Sequence, residues 1–306
     1  MKIEELYKAA QVEEAISDPE VAHLIINKDE VAGENEIPGV KVSPEPIEDG
    51  VYVKMVISDG AVIEKPVHMC FGVTGSEGLQ NIKMDIEVGE NAEIGVLAHC
   101  IFPEALDVRH VMDANISVGE NAKYSYLEKH IHSKEGGILV DSNAEVVLEK
   151  GANFRTDFEL IEGRVGELNV DYSTVAREES TLEMTAKVDG REDDKINIEE
   201  KAKLIGRGAR GVLTTRVAAR GNTEARVYNE LLANAPESRG HVDCKEIIQD
   251  EGSAKAVPIV EVNHPKAHVT HEAAIGSVDD KQLQTLLARG LSEEQAVDLI
   301  IKGLLS

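Results

Sequence analysis

The side chains with the most chemistry are crowded into one stretch, Arg239 to Gly276, which reads RGHVDCKEIIQDEGSAKAVPIVEVNHPKAHVTHEAAIG. It holds Cys244, Asp243, Glu272 and the histidines His241, His264, His268 and His271, in a 306-residue chain that has three cysteines and ten histidines in all. Thiolate, imidazole and carboxylate bind soft and borderline transition metals, so the chemistry on offer is metal ligation. Short polar stretches with several histidines are also often solvated turns, and clustering alone does not separate the two. A second spacing involves Cys70, Cys100 and His130, which follow one another at the same step. Stacked in a repeat they would form a column of ligands, although a free cysteine is often only a small buried hydrophobe.

The elements that must position these residues read as β-structure. From Val51 onward, runs rich in Val, Ile and Thr alternate with Gly, Asn, Asp and Ser for most of the chain. Ile86-Glu-Val-Gly-Glu-Asn-Ala-Glu-Ile94 recurs as Ile116-Ser-Val-Gly-Glu-Asn-Ala-Lys-Tyr124 and as Val146-Val-Leu-Glu-Lys-Gly-Ala-Asn-Phe154, with a constant step of about thirty residues. A looser fourth copy is Ile196-Asn-Ile-Glu-Glu-Lys-Ala-Lys-Leu204. Apolar residues alternate on either side of a polar turn, so each strand has one buried and one wet face. A fixed period without long helices predicts a solenoid, a parallel β-helix in which each coil buries its apolar face by stacking on the next. A β-sandwich built from hairpins is the competing fold, since closely spaced turns suit it too.

The flanks read differently. Ile3, Leu6, Tyr7 and Ala10 recur at helical spacing, and Asp18-Pro19 looks like the start of a second short helix before residue 26. Gly33, Pro38, Gly39, Pro44, Pro46 and Gly50 mark a linker. After Gly276, Ser277 caps a run through Leu283, Leu286 and Leu287 that ends at Gly290. Ser292-Glu-Glu-Gln295 is a capping box opening a second helix with Ala296, Val297, Ile300 and Ile301 on one side. Leu304 and Leu305 look exposed at the chain end. The expected organisation is N-terminal helices and linker over 1–48, a β-helix over 49–276 and a helical hairpin over 277–306.

Composition excludes several function classes. The formal charge of −25 argues against a phosphate-backbone partner. The basic run from Arg207 to Arg220 is interleaved with glycines and apolar residues and reads as sheet. No stretch approaches a membrane span, and the acidic, amphipathic start lacks the basic and apolar blocks of a secretory signal. Three cysteines at wide spacing fit reduced thiols better than a disulfide framework, and a cytoplasmic protein is expected. With no Trp and four Phe, the chain can hardly supply the aromatic platforms of a carbohydrate-active solenoid. The long period does not suit a hexapeptide acyltransferase, and no Gly-x-x-x-x-Gly-Lys-Ser/Thr loop is present to hydrolyse nucleotide. A non-enzymatic role is the expectation.

Arg239-Gly-His-Val-Asp-Cys-Lys245, Ala256-Val-Pro-Ile-Val-Glu-Val262, His264-Pro-Lys-Ala-His-Val-Thr-His-Glu-Ala273 and Leu287-Ala-Arg-Gly-Leu-Ser-Glu-Glu-Gln-Ala296 resemble, in order, the C-terminal half of the SufB/SufD family of iron–sulfur cluster assembly scaffolds. Asp49-Gly-Val-Tyr-Val53 and Gly60-Ala-Val-Ile-Glu-Lys-Pro66 are similar to the segment that opens that family's β-helix, so the likeness covers most of residues 49–303. The resemblance implies a right-handed parallel β-helix that pairs with a second SufB or SufD subunit, as a homodimer or a mixed pair. It also implies a SufC-type ATPase docked on the C-terminal helices, here through Leu283, Leu286, Leu287 and Ile300. By the same resemblance Cys244 matches the cysteine of a SufB Thr-Gln-Cys-Asp pattern, and His271 and Glu272 match its Glu-His-Glu-Ala pattern. These three carry over as the site of a transient iron–sulfur cluster of unspecified type. Thiolate is the soft ligand iron–sulfur units prefer, and imidazole or carboxylate gives a labile shell suited to release.

There are departures. Leu148 stands where SufB-type members carry a sulfur-accepting cysteine, and Cys100, in Leu97-Ala-His-Cys100, matches a family Leu-Glu-Gly-Cys and is the candidate substitute for sulfur handling, with a buried structural thiol as the other reading. The chain is shorter than SufB at both ends. A SufD-like partner or ATPase regulator that binds no cluster is the alternative reading.

Overall fold

The computed structural model describes Lys8 and residues 12–306. The helical spacing of Ile3, Leu6, Tyr7 and Ala10 lies outside the described residues. A short helix α1 (Glu13–Ser17) precedes nineteen strands and a C-terminal helical pair, α2 (Asp280–Leu287) and α3 (Glu293–Leu305). At the N-terminal end lie β1 (His23–Asn27), β2 (Glu30–Asn35), β3 (Val40–Ile47), β4 (Gly50–Ile57) and β5 (Val67–Gly72). The middle coils are β6 (Glu77–Val88), β7 (Glu93–Phe102), β8 (Asp107–Val118), β9 (Lys123–His132), β10 (Ile138–Leu148), β11 (Asn153–Glu162) and β12 (Glu167–Ala176). There follow β13 (Thr181–Gly190), β14 (Lys195–Leu204), β15 (Arg210–Ala219), β16 (Glu224–Ala233), β17 (Arg239–Ile248), β18 (Ser253–Val262) and β19 (His268–Gly276).

The chain winds through two facing sheets. The ten-stranded sheet runs β19-β17-β15-β13-β11-β9-β7-β5-β1-β2 and the nine-stranded sheet runs β18-β16-β14-β12-β10-β8-β6-β4-β3. Successive coils pair in parallel, and among the described strand pairs only β1/β2 and β3/β4 at the N-terminal end are antiparallel. This is the parallel β-helix expected from the repeat, and the sandwich alternative falls because neighbours in each sheet are alternate strands in sequence. Burial alternates along each strand, as in β8, where Val108, His110, Met112, Ala114, Ile116 and Val118 are covered and the residues between them are not. The covered set lines a lumen between the sheets, and it is the core.

The repeat motif builds the corners. Residues 89–92, 119–122 and 149–152 each turn the chain, with Asn91, Asn121 and Gly151 at φ 58°, 56° and 67°, the left-handed region that Asn and Gly tolerate best. Ala92, Ala122 and Ala152 then point inward at 1% exposure or less, stacking small side chains where the sheets converge. Ile86, Ile116 and Val146 are direct partners, so the first three copies share one register.

Beyond them the coil shortens. Val146 pairs with Thr174, and Thr174 with Ala202. The fourth copy, Ile196 to Leu204, is therefore not a copy: it lies wholly within β14, with no turn at Glu199-Glu200. Three other expectations are corrected. The segment after Asp18-Pro19 forms strand β1, buried from His23 to Ile26, because its apolar run packs on β5. The supposed linker carries β2 and β3, and β3 accommodates Pro44 and Pro46 because it is an edge strand, where a missing N–H costs no ladder bond. The cap of α2 is Asp279, whose side chain accepts from Gln282 N, and not Ser277.

The helical pair folds back on the outer face of the ten-stranded sheet. Val278, Val297, Ile301 and Leu305 pack with Ala218 of β15, joined by the half-buried Ile161, Ile247, Leu283 and Ile300. Leu305, expected at the surface, is 4% exposed. Arg220 bridges Asp189 at 3.0 Å and contacts Asp298, tying α3 to the end of β13. The capping box is present, with Gln295 N donating to Ser292 Oγ at 3.2 Å and Gln295 Oε1 accepting from Ser292 N at 3.0 Å. Ser292→Ala should cost about 1 kcal/mol of local stability, read as faster amide exchange over 293–296; unchanged exchange there would refute it.

Candidate functional site

Cys244 lies on β17, where Val242, Cys244 and Glu246 face the lumen by strand alternation. The Cys244 thiol is fully covered. Asn229 Nδ2 donates to Cys244 Sγ at 3.3 Å and to Thr215 Oγ1 at 2.8 Å, and Thr215 Oγ1 donates to Glu200 Oε2 at 3.4 Å. These groups meet because Thr215 is the ladder partner of Cys244 and Asn229 that of Glu200. Burial, with the Glu246 carboxyl second, pushes the Cys244 thiol up to about 12. Burial likewise raises Glu200 to about 8 and Glu246 to about 7. Neither Glu246 oxygen has a hydrogen-bond partner among the described residues. Cys244 is thus a protonated thiol at the end of a polar chamber that ligands or charge must activate.

His271 and Glu272 lie on β19, the last strand. Val242 pairs with His271 and Asp243 with Glu272. Ladder partners share a face, so His271 is on the lumenal side with Cys244, one coil further and two residues back. Glu272 is on the outer side, where Lys245 Nζ lies 3.5 Å from Glu272 Oε1 and 3.6 Å from Asp243 Oδ1. Both are exposed, because among the described residues no further coil covers β19. The structure brings Cys244 and His271 to one face and turns Glu272 to the other. Glu246, Glu200, Thr215 and Asn229 are the residues that sequence reasoning missed. The parity of Cys244 and Glu246 could have found the first, but the others need the register across coils.

The remaining histidines of this stretch lie at the surface. His241 Nδ1 is 2.8 Å from Thr270 Oγ1, His264 Nδ1 accepts from Lys266 N at 3.1 Å, and His268 is exposed.

A second polar chamber lies nearer the N-terminal end. Cys100 on β7 and His130 on β9 are direct partners, as their spacing suggested, and Glu128 projects beside them. Cys70 does not join the column: it pairs with His99, a step one residue shorter, and so faces outward to pack with Val12 and Ile25. Cys100, Glu128 and His130 are 0% exposed. Tyr172 OH donates to Glu128 Oε2 at 3.0 Å, and Ser142 Oγ lies 2.9 Å from the same hydroxyl. Burial holds the Cys100 thiol well above its ordinary range, so as it stands it is protonated. Between the two chambers the same columns carry Phe158, Leu160, Ala186 and Val188, all buried. Leu148 is also fully buried, paired with Val118 and Ala176.

Of the expected docking residues, Leu283 and Ile300 spend part of their surface against the β-helix, and Leu286 and Leu287 are half-buried. Leu286, Leu299, Ile300 and Leu304 line an open groove between the helices, with Leu299 49% exposed. No described helix is long and apolar enough to cross a membrane.

Residues 71–304 match the family described as SUF system FeS cluster assembly, SufBD core domain. The chain is 37% identical over 259 residues to an iron–sulfur cluster assembly SufBD family protein of Methanocaldococcus jannaschii, covering 84% of this chain and 82% of that one. It is 36% identical over 301 residues to one of Pyrococcus horikoshii, covering 98% and 92%. To the iron–sulfur cluster assembly protein SufB of Bacillus subtilis it is 26% identical, over 52% of this chain and 41% of that one.

Proposed function

Because the chain belongs to the SufB/SufD family of iron–sulfur cluster assembly proteins, we propose that it is a SufB-like, non-enzymatic scaffold on which a cluster is built at Cys244 and His271. The observation that carries this reading is their shared lumenal face at the uncapped end of the solenoid. Iron entering there meets a thiol and an imidazole from adjacent coils, with Glu246 beside them to take up a proton or supply an oxygen ligand. Glu272 acts from the outer face: paired with Lys245, it is a ligand only toward something seated against β19. A second copy of the chain, or a SufD-like subunit, would fill that place. The bare edge of β19 supports such pairing, since an unpaired strand edge is a template for another chain. Two copies would then supply two thiols to one cluster. The groove of Leu286, Leu299, Ile300 and Leu304 is the surface we assign to a SufC-type ATPase in the cytoplasm.

Anaerobic reconstitution with ferrous iron and sulfide should give a brown protein with thiolate-to-iron absorption. We expect Cys244→Ser to lose that absorption, and Glu272→Gln to weaken it only in the dimeric fraction. A colourless wild type would overturn the reading. The buried, protonated state of Cys244 favours the second reading, a SufD-like partner that regulates the ATPase and holds no cluster. In that case Cys244→Ser is silent in reconstitution while Leu299→Glu still abolishes the ATPase complex.

A further inference from the structure

The chamber around Cys100 contains a ligand set that cluster assembly at Cys244 does not use. Ligand atoms of Cys100, Glu128 and His130 all lie within 4.8 Å of one another. Glu128 Oε1 is 2.7 Å from His130 Nε2 and 3.9 Å from Cys100 Sγ. On the opposite wall, His110 of β8 is 0% exposed and neither of its ring nitrogens has a hydrogen-bond partner among the described residues. Its ring centroid is 6.0 Å from that of His130. Two orphaned nitrogens on a sealed ring are costly to keep unless something takes them up.

Hydrogen bonding fixes which nitrogen of His130 faces this group. His132 Nδ1 is 3.0 Å from the Arg164 carbonyl, which only accepts, so that nitrogen carries the hydrogen. The Nε2 of a neutral His132 must then accept, from His130 Nδ1 at 3.1 Å. That leaves the lone pair of His130 Nε2 aimed at Glu128 and Cys100. A relay in which the outer ring nitrogen is held by a second group is how proteins orient a metal-binding imidazole. The 2.7 Å contact between His130 Nε2 and Glu128 Oε1 holds one proton between the two groups.

We propose that Cys100, Glu128 and His130 form a buried site for one divalent transition-metal ion of the zinc or ferrous class, with His110 as the donor that completes a four-coordinate shell. The charge balance suits burial. A dication displaces one proton from the Cys100 thiol and the one held between Glu128 and His130, and both protons leave to solvent. Thiolate and carboxylate then neutralise the ion, so the lumen is uncharged before and after. The apolar layer of Phe158, Leu160, Ala186 and Val188 separates this site from Cys244, and it stands whether or not a cluster forms there.

The test uses the full chain as a Cys70→Ser, Cys244→Ser double variant, whose only remaining thiol is Cys100. It is refolded anaerobically with Co2+ as the probe, because the closed lumen admits an ion most readily during folding. We expect about one Co2+ retained per chain after gel filtration, with a thiolate-to-cobalt charge-transfer band and the intense visible absorption of a four-coordinate ion. Binding should release about two protons per ion and raise the thermal midpoint. Zn2+ should abolish the visible absorption at equal stoichiometry. Cys100→Ser in the Cys244→Ser background should lose the charge-transfer band while keeping its β-sheet circular dichroism. A folded double variant that retains no Co2+, retains it without the charge-transfer band, or releases no protons would overturn the proposal. So would a band that survives Cys100→Ser.

Discussion

Gly206→Ala is expected to cost about 4 kcal/mol or more, while Gly208→Ala, two residues along the same corner, costs about 1 kcal/mol. Gly206 lies where the chain passes from β14 to β15, directly over the corner of the coil before. A methyl group there would sit inside van der Waals contact of the Glu178 nitrogen and the Arg177 carbonyl carbon. Those are backbone atoms held in the ladder, as Gly206 N itself is by the Ala176 carbonyl at 3.1 Å. Neither side can move without parting two coils. Gly208 has φ +71°, but an added methyl meets nothing closer than Glu179 Cγ at 3.7 Å, so only the backbone preference is lost. Urea unfolding of the two variants measures the difference. Equal losses would mean that the corner is governed by backbone conformation and not by the closeness of stacking.

Glu200→Gln should stabilise the protein by a few kcal/mol at pH 8 and by little at pH 4.5, at about 1.4 kcal/mol per unit of displacement. Glu200 is buried against Thr215, and burial raises its carboxyl from 4.5 to about 8. The folded chain therefore holds a proton that the unfolded chain gives up. That contribution is fully present below about pH 4.5 and is lost as pH rises through about 8. Gln keeps an oxygen for the Thr215 hydroxyl and never ionises. The buried histidines act with the opposite sign: His110, lowered to about 3, withdraws stability as pH falls below its ordinary 6.5. That term is common to both proteins and cancels in the difference. Thermal midpoints of wild type and variant across this range check it, and a gap that stays constant with pH would show that Glu200 is not held protonated.

The solenoid is readable in the sequence because its corners repeat as residues and not only as a hydropathy pattern. Val-Gly-Glu-Asn-Ala places a left-handed Asn and a buried Ala at each turn, and any chain that repeats them at a constant step must stack. The reading fails where the step changes. Coils after Leu148 are shorter, so Ile196 to Leu204 resembles the motif by composition while lying mid-strand, and the shorter step from Cys70 to His99 turns that thiol to the outside. The N-terminal strands were hidden by Gly and Pro that an edge strand tolerates. At the site, alternation alone says that the adjacent His271 and Glu272 cannot share a face. That Glu200, Thr215 and Asn229 close around Cys244 depends on register set by intervening coil lengths, which no local pattern carries.

Among the described strands β19 pairs with β17 alone, and it bears His271. In a stack where each coil is steadied only by its neighbours, the terminal coil has the smallest free energy of opening. A subunit seated on that edge would raise it, and by reciprocity an ion held by His271 and Cys244 would tighten the pair by the same factor. On the proposed reading, ligand occupancy and subunit association would be a single equilibrium, in which a filled site would hold the two chains together and loss of the cargo would let them part.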